Sequence, residues 1–248
     1  MPQTIEEVLA ALDAIIASAI ADNDPAGYFA YVYRRTTAAV RDAIFAKRFQ
    51  DNERMERFDV LFANLYLAAY EQYRCDEPCS VSWQLAFNED RRSKAILQHV
   101  MLGMNAHINL DLGVAAAKIM KGRQLNELAH DFRLVNEILQ EIVEELQERV
   151  GRVSPVFGLF DRFGRDRDER LLDFSMRVAR EQAWIAANRI WEAAEANQTE
   201  VVEGIDKNIY QLGTKLGRPT SIAQRWLWQA IAAAESKKVG ENISLLGE

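Results

Sequence analysis

One short apolar run carries most of the chemistry in this chain. Between Leu97 and Leu112 it holds His99, Asn105, His107, Asn109 and Asp111 among Val, Met, Leu and Ile. At about 100° per residue on a helix, His107 and Asp111 are neighbours on one face, Gly103 lies one turn before them, and His99 falls roughly 80° to one side. Asn105 and Asn109 form a second four-apart pair on the opposite side, placed to bond neighbouring backbone and side chains rather than substrate. A His and an Asp one turn apart present a nitrogen and an oxygen to the same point, the donor set of a divalent metal site. The same pair can instead act without metal, with His107 as general base and Asp111 orienting its ring. The third alternative is a satisfied polar pair inside a core, with no turnover.

A metal needs further ligands from other helices. Asp131 is the leading candidate, because it shares the apolar face of its helix with Leu128, Leu134, Val135, Ile138 and Ile142, where a lone carboxylate would be costly; His99 is the second. The carboxylate share leaves zinc, iron and manganese equally acceptable. His130, about 100° away from Asp131, reads as a surface residue. Downstream, Asp173, Arg177, Arg180, Trp184, Asn188 and Trp191 fall in one stripe. Such a stripe either packs Arg stems on Trp faces with the guanidinium ends on Asp111 or Asp131, or forms a wall that binds a carboxylate or phosphate. Arg35 and Tyr66, with Arg34, Thr36, Thr37, Asp59 and Tyr70, are polar groups beside apolar faces that line a pocket or rim the core. The first expectation is therefore a metal-dependent enzyme of hydrolase type. Its metal is held by His107, Asp111, Asp131 and His99 and activates a water, while Arg180 and Arg177 take an anionic group and Trp184, Arg35 and Tyr66 contact substrate. The alternatives are a metal-free isomerase or cyclase using His107 on a small apolar substrate, and a non-catalytic helical ligand-binding protein.

The elements that must position these groups read as helices throughout. Hydrophobic residues recur at a period near 3.6, and no alternating run long enough for a strand stands out. Thr4 with Glu7 opens a helix ending near Asn23, Pro25 opens one to about Arg48, and Asp51 caps a third to about Tyr73. A short segment with Trp83 precedes a long helix over 91–121, stopped by Gly122. Helices follow over 125–150, 168–196, 199–216 and 220–236, with a long connection at 151–167 that is either a lid or plain surface, and a C-terminal tail at 237–248. The expected architecture is an all-α, single-domain bundle of about eight helices around a buried central one, spanning 1–248.

With 248 residues, 49% of them hydrophobic, the chain can bury one large core. A net charge of −7 without a basic run argues against nucleic acid or an anionic membrane as partner. The start lacks a basic region, and Asp13 interrupts its apolar stretch, so a soluble, cytoplasmic protein acting on a small molecule, and able to self-associate, is expected. Cys75 and Cys79, three residues apart, lack the spacing of redox or zinc motifs and read as plain thiols. No phosphate loop, nucleophile elbow or His-Glu-x-x-His helix is present.

Several of these segments together resemble a known family. Gly103-Met-Asn-Ala-His107-Ile-Asn-Leu-Asp111-Leu, Arg35-Thr-Thr, Phe62-Ala-Asn-Leu-Tyr66, Asp131-Phe-Arg-Leu-Val-Asn136 and Arg180-Glu-Gln-Ala-Trp184 look like an uncharacterised bacterial helical family, domain of unknown function 5995. That resemblance spans most of the chain and implies no activity. The His107–Asp111 turn alone is similar to a metal-ligand turn of helical zinc-dependent phospholipases C and single-strand-specific nucleases. Those enzymes use more His and an N-terminal Trp; this chain has 3 His and begins Met-Pro-Gln, which does not support their trinuclear zinc site.

Overall fold

The computed structural model describes residues 1–87, 93–154, 178–218 and 221–247, and among them there is no strand. Local signals set most helix ends. In α1 (Ile5–Asp22) the Thr4 hydroxyl accepts from Glu7 N–H, and Asn23 closes the helix at φ 53°, a left-handed turn that Asn tolerates. Helix α2 (Ala26–Phe45) starts just after Pro25, with Asp24 accepting from Ala26 N–H. Asp51 caps α3 (Asn52–Arg74), and Ser80 caps the short α4 (Val81–Ala86).

The expected central helix is present and buried, but it is not one regular helix. Helix α5 (Ile96–Ala106) passes into a π-helical turn at His107–Asp111 and resumes as α6 (Leu112–Ile119). At the turn, Leu112 N–H reaches back five residues to the His107 carbonyl. Such turns insert one residue into an α-helix and are frequent at functional sites. After Gly122, whose φ of +78° suits glycine, a short 3₁₀ turn (Leu125–Leu128) leads into α7 (Ala129–Val153). Helix α8 is described over 178–192. Helices α9 (Gln198–Gly217), α10 (Ile222–Ala234) and α11 (Val239–Gly247) complete the chain.

The eleven described α-helices exceed the expected eight for local reasons. The Trp83 segment is a helix of its own, and the π turn divides the central helix. Most of the segment expected as a tail, from Val239 to Gly247, is helix α11. Its Val239, Ile243 and Leu246 are buried in the core shared with α1 and α2. Asn242 donates to the Tyr28 hydroxyl (2.7 Å), and Tyr31 donates to the Leu246 carbonyl (2.6 Å). Of the expected 151–167 connection, 151–153 continue α7, and the part from 155 onward lies outside the described residues, as does Arg177. No described helix is long and apolar enough to cross a membrane.

One buried ion pair joins the end of α2, the start of α3 and α7. Asp131, fully buried, accepts from Gln50 N–H (2.8 Å), Asp51 N–H (3.2 Å) and Arg54 Nη2 (2.9 Å). Burial alone would raise its pKa. The hydrogen bonds from Gln50, Arg54 and Asp51, with His130 adding a weaker one, outweigh burial and hold it below the ordinary value. Asp131 thus shapes the α2–α3 turn. Replacing it by Ala leaves the buried Arg54 guanidinium without its nearest carboxylate and two turn amides without their acceptor, so Asp131→Ala should cost about 3–5 kcal/mol of unfolding free energy in urea melts.

Candidate active site

Four helices build the site around His107. Its Nδ1 lies 2.9 Å from Asp111 Oδ2, and the same oxygen accepts from Trp83 Nε1 at 2.9 Å. An oxygen that already accepts an indole N–H acts as acceptor toward the ring as well. His107 therefore carries its proton on Nδ1, and Nε2 is left with its lone pair. Burial lowers the His107 pKa, and the hydrogen bond and charge of Asp111 offset this only in part. Burial likewise raises the Asp111 pKa against the hydrogen bonds from His107 and Trp83, with the Asp206 charge raising it further. The outcome is a neutral imidazole with a steered tautomer.

Trp83 is held in turn. Asp206 on α9 accepts from Val81 N–H (2.7 Å) and Ser82 N–H (3.0 Å), the first amides of α4, and so fixes the short helix that carries the indole. One turn before His107, Gly103 lets the Phe29 ring lie against the central helix. A Cβ there would sit 2.4 Å from Phe29 Cγ.

The imidazole is enclosed by aromatic rings. Phe62 stacks on it at 3.7 Å between centroids and 7° between planes, and Tyr33 meets it edge-on at 4.3 Å. Phe29, Tyr66 and Trp83 complete the enclosure at 5.8, 5.9 and 6.0 Å. Helical spacing supplies these walls: Phe29, Tyr33 and Thr37 share a face of α2, as Asp59, Phe62 and Tyr66 share one of α3. Several polar atoms here are buried without a hydrogen-bond partner: His107 Nε2, Tyr33 Oη, Tyr66 Oη, Thr37 Oγ1 and Asp59 Oδ2. Native cores rarely leave such groups orphaned, so a cluster of them needs a physical reason. Burial, with the Glu56 charge adding to it, raises the Asp59 pKa to about 7. Burial, then the Asp59 charge, keeps the Tyr33 phenol protonated well beyond its usual range.

The other expected site residues lie elsewhere. His99 is eight residues before His107, about 12 Å along the helix axis, in a small cleft with Tyr28 and Glu235. Asp131 is engaged at the α2–α3 turn. Arg180 bonds neither Asp111 nor Asp131. Its Nη2 donates to the Phe132 carbonyl (2.7 Å), its guanidinium lies 4.6 Å from the Phe132 ring centre, and burial lowers its pKa to about 9. Trp184 packs against the same Phe132. Arg35 forms a two-pronged ion pair with Glu145 between α2 and α7. Of the expected substrate contacts that are described, Trp184, Arg35 and Tyr66, only Tyr66 adjoins His107. Asn105 and Asn109 bond each other, and Asn105 bonds the Ile209 carbonyl, as their face predicts. His130 is exposed.

This distribution bears on the metal. Among the described residues no three His, Cys, Asp or Glu converge where an ion could sit. The expected set His107, Asp111, Asp131 and His99 is spread over three places, and His107 Nδ1 and Asp111 Oδ2 are turned on each other. These four residues therefore do not meet at one point where zinc, iron or manganese could be held. Sequence reasoning missed Trp83 and the Phe29–Tyr33 wall, although aromatic residues four apart on α2 were a usable signal.

Asp59 supplies a test of the cluster. Its carboxyl ionises at about 7 in the fold against 3.8 ordinarily, so the folded chain holds the extra proton between those values. The associated stability is complete at low pH and lost as pH rises through 7. Asp59→Asn should therefore melt with the native chain at pH 4 and melt higher at pH 8, by roughly 8–16 °C for a cost of order 4 kcal/mol. Coincident melts at both pH values would contradict a buried, proton-holding Asp59.

No curated protein and no solved structure matches the chain. A family model does, over residues 5–219, from α1 to the end of α9, a span that contains every residue of the His107 enclosure. The chain belongs to the family of unknown function DUF5995.

Proposed function

We propose that this chain is a metal-free proton-transfer enzyme of the isomerase or cyclase kind, acting on a small, largely apolar molecule with His107 as general base. The observation that carries this reading is the buried, unpartnered His107 Nε2, whose ring is fixed from behind by Asp111 and Trp83. A neutral imidazole held in one tautomer, with its free lone pair in a site walled by Phe29, Phe62 and Trp83, suits abstraction of a proton from carbon. Water there would compete for the base, and the aromatic walls exclude it.

The remaining orphan groups suit the same task. When Nε2 takes a proton, charge builds on the substrate, most usefully on a carbonyl oxygen, and the Tyr66 hydroxyl is a donor without a present acceptor, with the Tyr33 hydroxyl, beside Thr37, as a second. The imidazolium formed is stabilised by Asp111, and the proton returns from Nε2 to a different atom of the substrate, which completes an isomerisation or ring closure. His107 is only 2% exposed, so a substrate enters by displacing a wall.

Nitrogen NMR of labelled histidine tests the base directly. The expected result at pH 7 is a His107 ring protonated on Nδ1 alone, titrating below 6.5; protonation on Nε2 would overturn the reading. Deuterium uptake from D₂O into a panel of small enolisable ketones then measures turnover. We expect a His107→Asn variant to lose about 10²–10⁴-fold in rate. The native rate should be flat at high pH and fall as pH drops through the lowered His107 pKa.

A further inference from the structure

Among the described residues two arginines are buried, and only one of them has an anion to face. Arg54 lies 2.9 Å from Asp131. Arg180, 5% exposed and near the start of α8, forms no ion pair among the described residues. A guanidinium carries five N–H donors. Here Nη2 donates to the Phe132 carbonyl (2.7 Å), Nε is buried without an acceptor, and the Phe132 ring lies 4.6 Å away. Burial is the cause that lowers the Arg180 pKa, and no carboxylate charge opposes it. The group is still protonated near neutral pH. A positive charge thus sits in the core with one hydrogen bond and one aromatic face in place of its water.

The surroundings narrow what could complete it. On α7, one turn beyond Phe132, Asn136 leaves its Oδ1 buried without a partner, and by turning over this side chain presents an N–H instead. On α8, one turn after Arg180, the half-buried Trp184 packs on Phe132 at 5.0 Å between centroids. A planar fork of donors beside an indole fits a carboxylate carried on a flat apolar body. One guanidinium neutralises one negative charge. A phosphate dianion would be left half-paired in the core, so the chemistry favours a monocarboxylate.

We infer that the α7–α8 interface at Arg180 binds a small apolar monocarboxylate, its oxygens on the free guanidinium N–H groups and its body along Trp184. The place is separate from the His107 enclosure. Ring contacts run from Phe132 to Phe58 (6.4 Å) and from Phe58 to Phe62 (6.5 Å), so two rings separate Arg180 from the wall of the imidazole.

Calorimetric titration of the full chain with benzoate, with benzamide as the neutral molecule of the same shape and with inorganic phosphate, tests the assignment. The expected result is saturable benzoate binding, with benzamide and phosphate weaker by about tenfold or more. Arg180→Met replaces the buried charge by an apolar side chain, a change that folds often tolerate, and should abolish benzoate binding. Arg180→Lys keeps the charge without the planar fork and should weaken binding by about tenfold or more, which decides the matter even if the Met variant does not fold. A His107→Asn variant should bind benzoate as the native chain does, so this test is independent of the proposed base. Absence of benzoate binding, equal affinity for benzamide, tighter binding of phosphate, undiminished benzoate binding in either Arg180 variant, or its loss in His107→Asn would overturn the inference.

Discussion

Everything at the centre of this molecule depends on one carboxylate oxygen. Asp111 Oδ2 accepts from both the Trp83 indole and the His107 ring, and neither donor is exposed enough to find water instead. Were that oxygen absent, a buried N–H of each partner would be stranded, and the ring would lose its reason to keep one tautomer. The arrangement is also layered, since Asp206 from a distant part of the chain fixes the helix that brings Trp83 to the oxygen. The geometry of the imidazole is thus set by α4, α5 and α9 together, and no local segment determines it.

The other buried charges stand apart from that cluster. Asp131 is consumed by backbone amides and Arg54, and Arg180 faces a carbonyl and an aromatic ring. These groups bear the same residue types as the His107 cluster and differ from it in one respect. At Asp131 and at Arg180 a single guanidinium Nε is left over, of Arg54 and of Arg180, whereas His107 Nε2 and the Tyr33, Tyr66, Thr37 and Asp59 side chains bring five such atoms into and beside one aromatic enclosure.

The all-helical class and most helix ends were legible in the sequence because they rest on local rules: Thr4, Asp51 and Ser80 as caps, and a hydrophobic period near 3.6. The His107–Asp111 pair was legible for the same reason, as a relation within one turn. What could not be read was which distant group meets which. Asp131 sits on an apolar face as expected, yet its strong partners are Arg54 of α3 and the Gln50 and Asp51 amides, not a metal shared with His107 or the downstream arginine stripe. Arg35 looked like a pocket residue and pairs with Glu145 across two helices. Wheel angles also assume an unbroken helix, and the extra residue at the π turn ends that assumption midway along the central element. The C-terminal helix escaped notice because Val239, Ile243 and Leu246 are too few to outweigh the Gly and Ser among them.

That extra residue gives the central helix a phase. Relative to a regular α-helix, everything after Asp111 is turned by about 100° around the axis, and it is in this turned setting that Gly113 meets the backbone of α8 and Val114 and Ala117 face an open cleft between α6, α8 and α9. Removing a single residue between 107 and 111 would mend the hydrogen-bond ladder while swinging α6 away from α8. The irregular turn therefore acts as a keyway between two halves of the molecule, fixing the angular offset between the imidazole on one side and that cleft, walled by Trp191, on the other.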